Sequence, residues 1–102
     1  PSVALLQAVR VAVSPTYPLI FDSGVRHGED IVKALALGAD FVMLGRPIMF
    51  ALAAAGASGL YQYLDGITSE ISATMAQIGA CSIAEITTDC LFQPTSGSPP
   101  NI

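Results

Sequence analysis

Two short apolar runs in this chain end in the same way. Pro18-Leu19-Ile20-Phe21 stops at Asp22-Ser23-Gly24-Val25-Arg26-His27-Gly28, and Phe41-Val42-Met43-Leu44 stops at Gly45-Arg46-Pro47. Between them lies a segment of helical character from about Gly28 to Leu37. Glu29 and Asp30 stand in its first turn, where negative charge suits the helix dipole. Lys33 follows Glu29 at a favourable spacing, Ile31 and Leu35 share an inner face, and Gly38 is placed for the C-terminal cap. Short apolar strands joined through a helix by tight connections predict βα units and a parallel sheet. Parallel strands of successive units lie side by side, so the two loops that follow them are expected to meet on one face.

The remaining segments fit the same α/β class. Ser2 is suited to cap a helix with Val3, Leu6, Val9 and Ala12 or Val13 on its apolar side, ended by Pro15. After Pro47 an Ala-rich apolar segment reaches Ala55, and Gly56 to Gly59 break it. A longer helix is then predicted from about Leu60 to Ile78, on the stripe Leu60, Leu64, Ile67, Ile71, Met75 and Ile78, with Gly79 as its stop. Ser82-Ile83-Ala84-Glu85 reads as the capping box of one more short helix. From Gln93 onward Pro, Ser and Gly dominate, which predicts a disordered tail over 93–102.

Composition excludes several classes. Apolar residues make up 52% of the 102 and charged residues 12%, which is far from a disordered chain and reads as the interior of something larger. With four cations and a net charge of −4, no basic patch is available for nucleic acid. Asp40 and Arg46 interrupt the best apolar stretch, so no membrane span is expected. Cys81 and Cys90 have no metal-ligand spacing and read as reduced structural thiols of a cytosolic protein. Tyr17, Tyr61 and Tyr63 have no paired base and are expected to be partly buried.

The cations carry the functional signal. Arg26 and Arg46, two of the four, each follow the end of a predicted strand and stand beside glycine. Glycine lets the backbone approach a ligand and aim its N–H groups at it, helix starts add partial positive charge, and arginine supplies a fork of donors. Together these describe a phosphate site, which in a (β/α)8 barrel often lies in the loops after the last two strands. Asp22 is read as a polar group at the strand end that accepts hydrogen bonds from the loop backbone. His27 is the one histidine and sits among helix-start residues, so a catalytic triad has no support.

At these loops the sequence resembles the FMN-dependent 2-hydroxy-acid dehydrogenase family, which includes glycolate oxidase, lactate oxidase and monooxygenase, and mandelate and lactate dehydrogenases. The resemblance rests on the stretch from Asp22 to Ala39, on Val42-Met43-Leu44-Gly45-Arg46-Pro47, and on Met75-Ala76-Gln77-Ile78-Gly79, and it covers residues 1 to about 92. It implies the C-terminal part of a (β/α)8 barrel, about the last two βα units plus terminal helices, over 1–92. It implies bound FMN, with Asp22, Gly24, Arg26, Gly45 and Arg46 at phosphate positions and Ser23 and Val25 within the same loop. Position 23 is often Gly in the family, so Ser23 is a mild departure. The implied activity is oxidation of a 2-hydroxy acid such as lactate, glycolate or mandelate to a 2-keto acid, by a cytoplasmic homo-oligomer. The family's catalytic His and carboxylate-binding Arg belong to a His-Gly-Gly-Arg segment expected upstream of Pro1, so this stretch alone is expected to be inactive. The alternatives are another phosphate-binding barrel of the inosine-monophosphate-dehydrogenase kind, which Gly45-Arg46-Pro47 argues against, or an inactive truncated product.

Overall fold

Among the described residues the sheet has two strands, each paired with the other over two residues. The computed structural model describes residues 2–22 and 24–90, with side chains from Leu5 onward. Ser23 and the expected tail over 93–102 lie outside the described residues. The order is α1 (Ser2–Ala12), β1 (Ile20–Phe21), α2 (Gly28–Ala36), β2 (Phe41–Val42) and α3 (Arg46–Ile78), followed by 3-10 turns at Ile83–Glu85 and Thr88–Cys90. β1 and β2 are parallel, with Ile20 opposite Phe41 and Phe21 opposite Val42. The expected four-residue strands shrink to two paired residues each, and single bonds from Asp40 N–H to the Leu19 carbonyl and from Met43 N–H to the Phe21 carbonyl extend the ladder at its ends.

Helix α2 is buried on two sides rather than on one inner face. Toward the sheet and α1, Ala34 packs in a cluster with Leu6, Phe21, Val25 and Ala39, with Ile31 against it. Toward α3, Val32 and Ala36 join Ala80 and Ile86, with Leu35, Ile71 and Met75 against them. Ile31 and Leu35 therefore serve different layers. The expected stripe of the long helix holds from Ile67 to Ile78, while Leu64 is exposed. Of the residues expected on the apolar side of α1, Leu6 is buried but Val9 is exposed. The opposite face of the sheet is bare, with Ile20, Phe41 and Met43 all more than half exposed.

The expected break after Ala55 is a kink. Helix geometry fails at Ala55 and Gly56, and Gly56 takes a left-handed φ of 62°. Gly79 ends the helix in a left-handed conformation, as expected. The capping box expected at Ser82 does not form. The segment is a single 3-10 turn, the Ser82 hydroxyl makes no cap bond, and the Glu85 carboxylate accepts from Cys81 N–H instead. Glu29 and Lys33 form no ion pair, which fits the small value of an exposed helical pair.

The strong tie lies at the N-terminal ends of the strands. Arg10 donates to the carbonyls of Gly38 (3.1 Å), Ser14 (2.7 Å) and Tyr17 (2.6 Å) and to Asp40 Oδ2 (3.2 Å). The same Asp40 oxygen accepts from Leu19 N–H at 2.9 Å. One guanidinium thus joins the end of α1, the loop before β1 and the turn before β2. Gly38 makes room for it, since a Cβ there would fall 2.6 Å from Arg10 Cγ.

Arg10→Ala should destabilise the fold by about 2–3 kcal/mol, because it strands three carbonyls and a carboxylate together. Arg10→Lys should recover only part of this, because an ammonium cannot span four acceptors as the planar fork does. Urea unfolding midpoints measure both. A Lys variant as stable as the native chain would show that the fork geometry is not used.

Candidate functional site

The loops after β1 and β2 face one another because the strands that deliver them are adjacent and parallel. From the first loop, Asp22, Gly24, Val25 and Arg26 line a cavity of about 420 Å³. Met43, Gly45, Arg46 and Pro47 line its other side. Six of the seven expected site residues therefore surround one space, and the seventh, Ser23, lies outside the described residues. A second cavity of about 620 Å³ lies against Arg26 and Arg46 as well, walled by His27, Phe50, Ala51 and Tyr63.

Each residue is held by local structure. Val25 turns its side chain into the core, 5% exposed, and anchors the loop there. Gly24 has a φ of 65°, and a Cβ built on it or on Gly45 would meet nothing within 4 Å, so both backbones border open space. Helix α3 starts at Arg46, and its first returning amides, Ile48 and Met49 N–H, both go to the Gly45 carbonyl. The N–H groups of Gly45 and Arg46 donate to no backbone carbonyl among the described residues, and Pro47 has none to offer. Arg26 and Arg46 are exposed, and neither forms an ion pair among the described residues. The opening thus carries two guanidinium groups that form no ion pair among the described residues, the backbone N–H groups of Gly45 and Arg46, and a helix start, which suit an anion, together with the Asp22 carboxylate on the same lining.

The loop is secured by residues that the sequence did not single out. Among the described residues the loop amides go to Asp30 rather than to Asp22: Arg26 N–H and His27 N–H both donate to Asp30 Oδ2 at 3.1 Å. Asp30 had been legible only as a charge in the first helical turn. From α3, Tyr63 Oη donates to the Arg26 carbonyl at 2.8 Å, and Glu70 Oε1 accepts from Gly28 N–H at 2.6 Å. Burial raises the Tyr63 phenol above its ordinary value, and the carboxylates of Glu70 and Asp30 push in the same direction. Tyr63 therefore stays a proton donor at neutral pH.

Other expectations resolve around this site. His27 is the N-cap residue of α2, with Nδ1 3.8 Å from Glu70 Oε1 and most of its side chain exposed. Of the three tyrosines, Tyr63 is partly buried as expected, whereas Tyr17 and Tyr61 are 59% and 69% exposed. Cys81 and Cys90 are free thiols. No cluster of three metal-ligating side chains occurs among the described residues, and no helix there is long and apolar enough to cross a membrane.

Comparison with known proteins shows the family of the chain. Residues 1–93 match the family described as FMN-dependent dehydrogenase. The chain is 49% identical over 90 residues to an L-lactate oxidase of Alicycliphilus denitrificans, covering 88% of this chain and 25% of that protein. It is 48% identical over 92 residues to an L-lactate dehydrogenase of Acinetobacter baumannii, covering 90% and 24%. Among solved structures, a mandelate oxidase superposes with a TM-score of 0.82 at 39% identity, over 86% of this chain and 27% of that one. An (S)-mandelate dehydrogenase does so with a TM-score of 0.80 at 40% identity, over 85% and 24%. The chain thus spans about a quarter of the length of the curated relatives it matches.

Two glycines of the first loop should respond differently to alanine. At Gly28 a Cβ would fall 2.5 Å from Glu70 Cβ and 2.6 Å from the Ile71 backbone nitrogen, so the start of α2 would be pushed off α3. Gly28→Ala should cost about 1–3 kcal/mol through this crowding. Gly24→Ala meets no atoms and should cost about 1–2 kcal/mol through its left-handed backbone alone. Thermal unfolding gives the stabilities. Backbone amide shifts report the displacement, which should spread into α3 for Gly28→Ala and stay in the loop for Gly24→Ala. The reverse pattern would contradict the packing described here.

Proposed function

This chain belongs to the FMN-dependent dehydrogenase family, and we propose that it supplies the FMN-phosphate site of a 2-hydroxy-acid oxidase or dehydrogenase. In this reading β1 and β2 are the seventh and eighth strands of a (β/α)8 barrel, whose phosphate sites commonly lie in the loops after those strands. The observation that carries the reading is the shared cavity at the C-terminal ends of two adjacent parallel strands, with a glycine and an arginine from each loop. The bare sheet face supports the barrel. Parallel sheets are normally covered on both sides, and Ile20, Phe41 and Met43 present an apolar surface that further strands would cover.

The residues fit a phosphate monoester. Gly24 and Gly45 leave space where a side chain would stand, and Gly45 and Arg46 supply backbone donors at a helix start. Arg26 and Arg46 supply charge and fork geometry from opposite sides. Asp22 lines the same cavity, and its carboxylate suits hydroxyl groups beside the phosphate rather than the phosphate itself. Bound flavin supplies the acceptor of a hydride equivalent when a 2-hydroxy acid becomes a 2-keto acid. The residues of this chain bind and orient. Phosphate contacts are alike throughout the reaction, so they set cofactor affinity rather than the rate of bond breaking. The relatives named for lactate and mandelate support a small 2-hydroxy acid as the substrate, and the family resemblance alone suggests a homo-oligomeric enzyme.

In the complete protein, Arg46→Ala should weaken FMN binding by roughly ten- to hundredfold, the value of a charge-assisted contact of about 1.5–3 kcal/mol. Arg26→Ala should act in the same direction, and lysine at either site should rescue incompletely. Turnover at saturating FMN should change little. Flavin fluorescence titration with parallel assays measures both. Unchanged affinity in both alanine variants would return these loops to ordinary turns.

A further inference from the structure

We propose that Tyr63 and Glu70 are positioning residues for Arg26, holding the backbone that carries its guanidinium to the cavity. This rests on the phosphate reading of the cavity but concerns residues outside it. Tyr63 and Glu70 stand seven positions apart on α3, two turns along one helix face, and Ile67 between them is buried. That face lies against the segment from Arg26 to Gly28. The Arg26 carbonyl receives Tyr63 Oη, the Gly28 N–H goes to Glu70, and the Arg26 and His27 N–H groups go to Asp30. Consecutive backbone groups are thus fixed from α2 on one side and α3 on the other. The contact has no slack, because the missing side chain of Gly28 is what lets the two backbones meet.

Arg26 needs such support. Its side chain is exposed and makes no ion pair among the described residues, so the backbone from which it springs is the part of Arg26 that neighbouring residues hold in place. Apparent affinity falls with the fraction of molecules in the binding-competent arrangement, so loosening the segment weakens anion binding without removing a ligand contact. A residue that acts this way alters cofactor affinity and leaves the saturated enzyme unchanged.

The test uses Tyr63→Phe, Glu70→Ala and Glu70→Gln in the complete protein. FMN affinity is read by flavin fluorescence, turnover at saturating FMN by assay, and amide hydrogen exchange of residues 26–28 without FMN. Tyr63→Phe should raise the FMN dissociation constant roughly fivefold, the worth of one neutral hydrogen bond. Glu70→Ala should raise it roughly tenfold or more, as for a bond to a charged acceptor. Glu70→Gln should recover most of the loss, since its amide oxygen still accepts from Gly28 N–H. All three should keep native turnover once saturated, and Gly28 exchange should quicken in Glu70→Ala. If the native protein binds FMN and both Tyr63→Phe and Glu70→Ala bind it equally well, the proposal is overturned. Turnover falling in step with affinity at saturation, or no rescue by Gln, also overturns it in favour of a general structural role. If the native protein does not bind FMN, the phosphate reading fails first, and unaltered Gly28 exchange in Glu70→Ala would then overturn the clamp itself.

Discussion

The parallel pairing of Ile20 with Phe41 and Phe21 with Val42 is the constraint on which the rest depends. It sets both strands pointing the same way, so both following loops leave at the same end. A slip of one residue would turn Phe21 out of the core, where it packs against Leu6, Val25 and Ala34. The register is therefore held by the core on one face. At the far end Asp40 holds it as well, with one carboxylate oxygen bound to Leu19 N–H and Arg10 together.

The two ends of the strands divide the work. At the N-terminal ends the charge of Arg10 is answered by Asp40 and three carbonyls through its two terminal nitrogens, while its Nε is buried without a partner among the described residues. At the C-terminal ends Arg26 and Arg46 are left without carboxylate partners among the described residues. Asp22 lines the cavity itself, and two acidic groups beside the first loop are engaged with backbone, Asp30 with two amides and Glu70 with one. Those two carboxylates hold the loop in place without neutralising its arginine. Paired and unpaired arginine charge thus lie at opposite ends of the same two strands among the described residues.

Much of this was legible in the sequence. Helix α2, the parallel sheet, the break near Gly56 and the stop at Gly79 followed from period, glycine placement and strand length. The shared cavity followed from two glycine–arginine loops one helix apart. What stayed hidden depends on tertiary contact. Tyr63 and Glu70 lie in an amphipathic helix whose polar positions carry no local mark, and only the docking of α2 on α3 brings them to Arg26 and Gly28. Asp30 could be read for its charge but not for a partner 4 residues away, and Arg10 carried no reading of its own because its partner lies 30 residues away. Ser82 misled because a capping box describes a helix start, and this segment closes after a single 3-10 turn.

The central claim is that the two loops form one phosphate cradle, and amide NMR of the complete protein during FMN titration tests it most directly. The account predicts that the largest backbone shifts fall together on Gly24, Val25, Gly45 and Arg46, and that they saturate at one FMN per chain. Shifts confined to one loop, or centred on a surface such as that around Glu29 and Gln77, would contradict it.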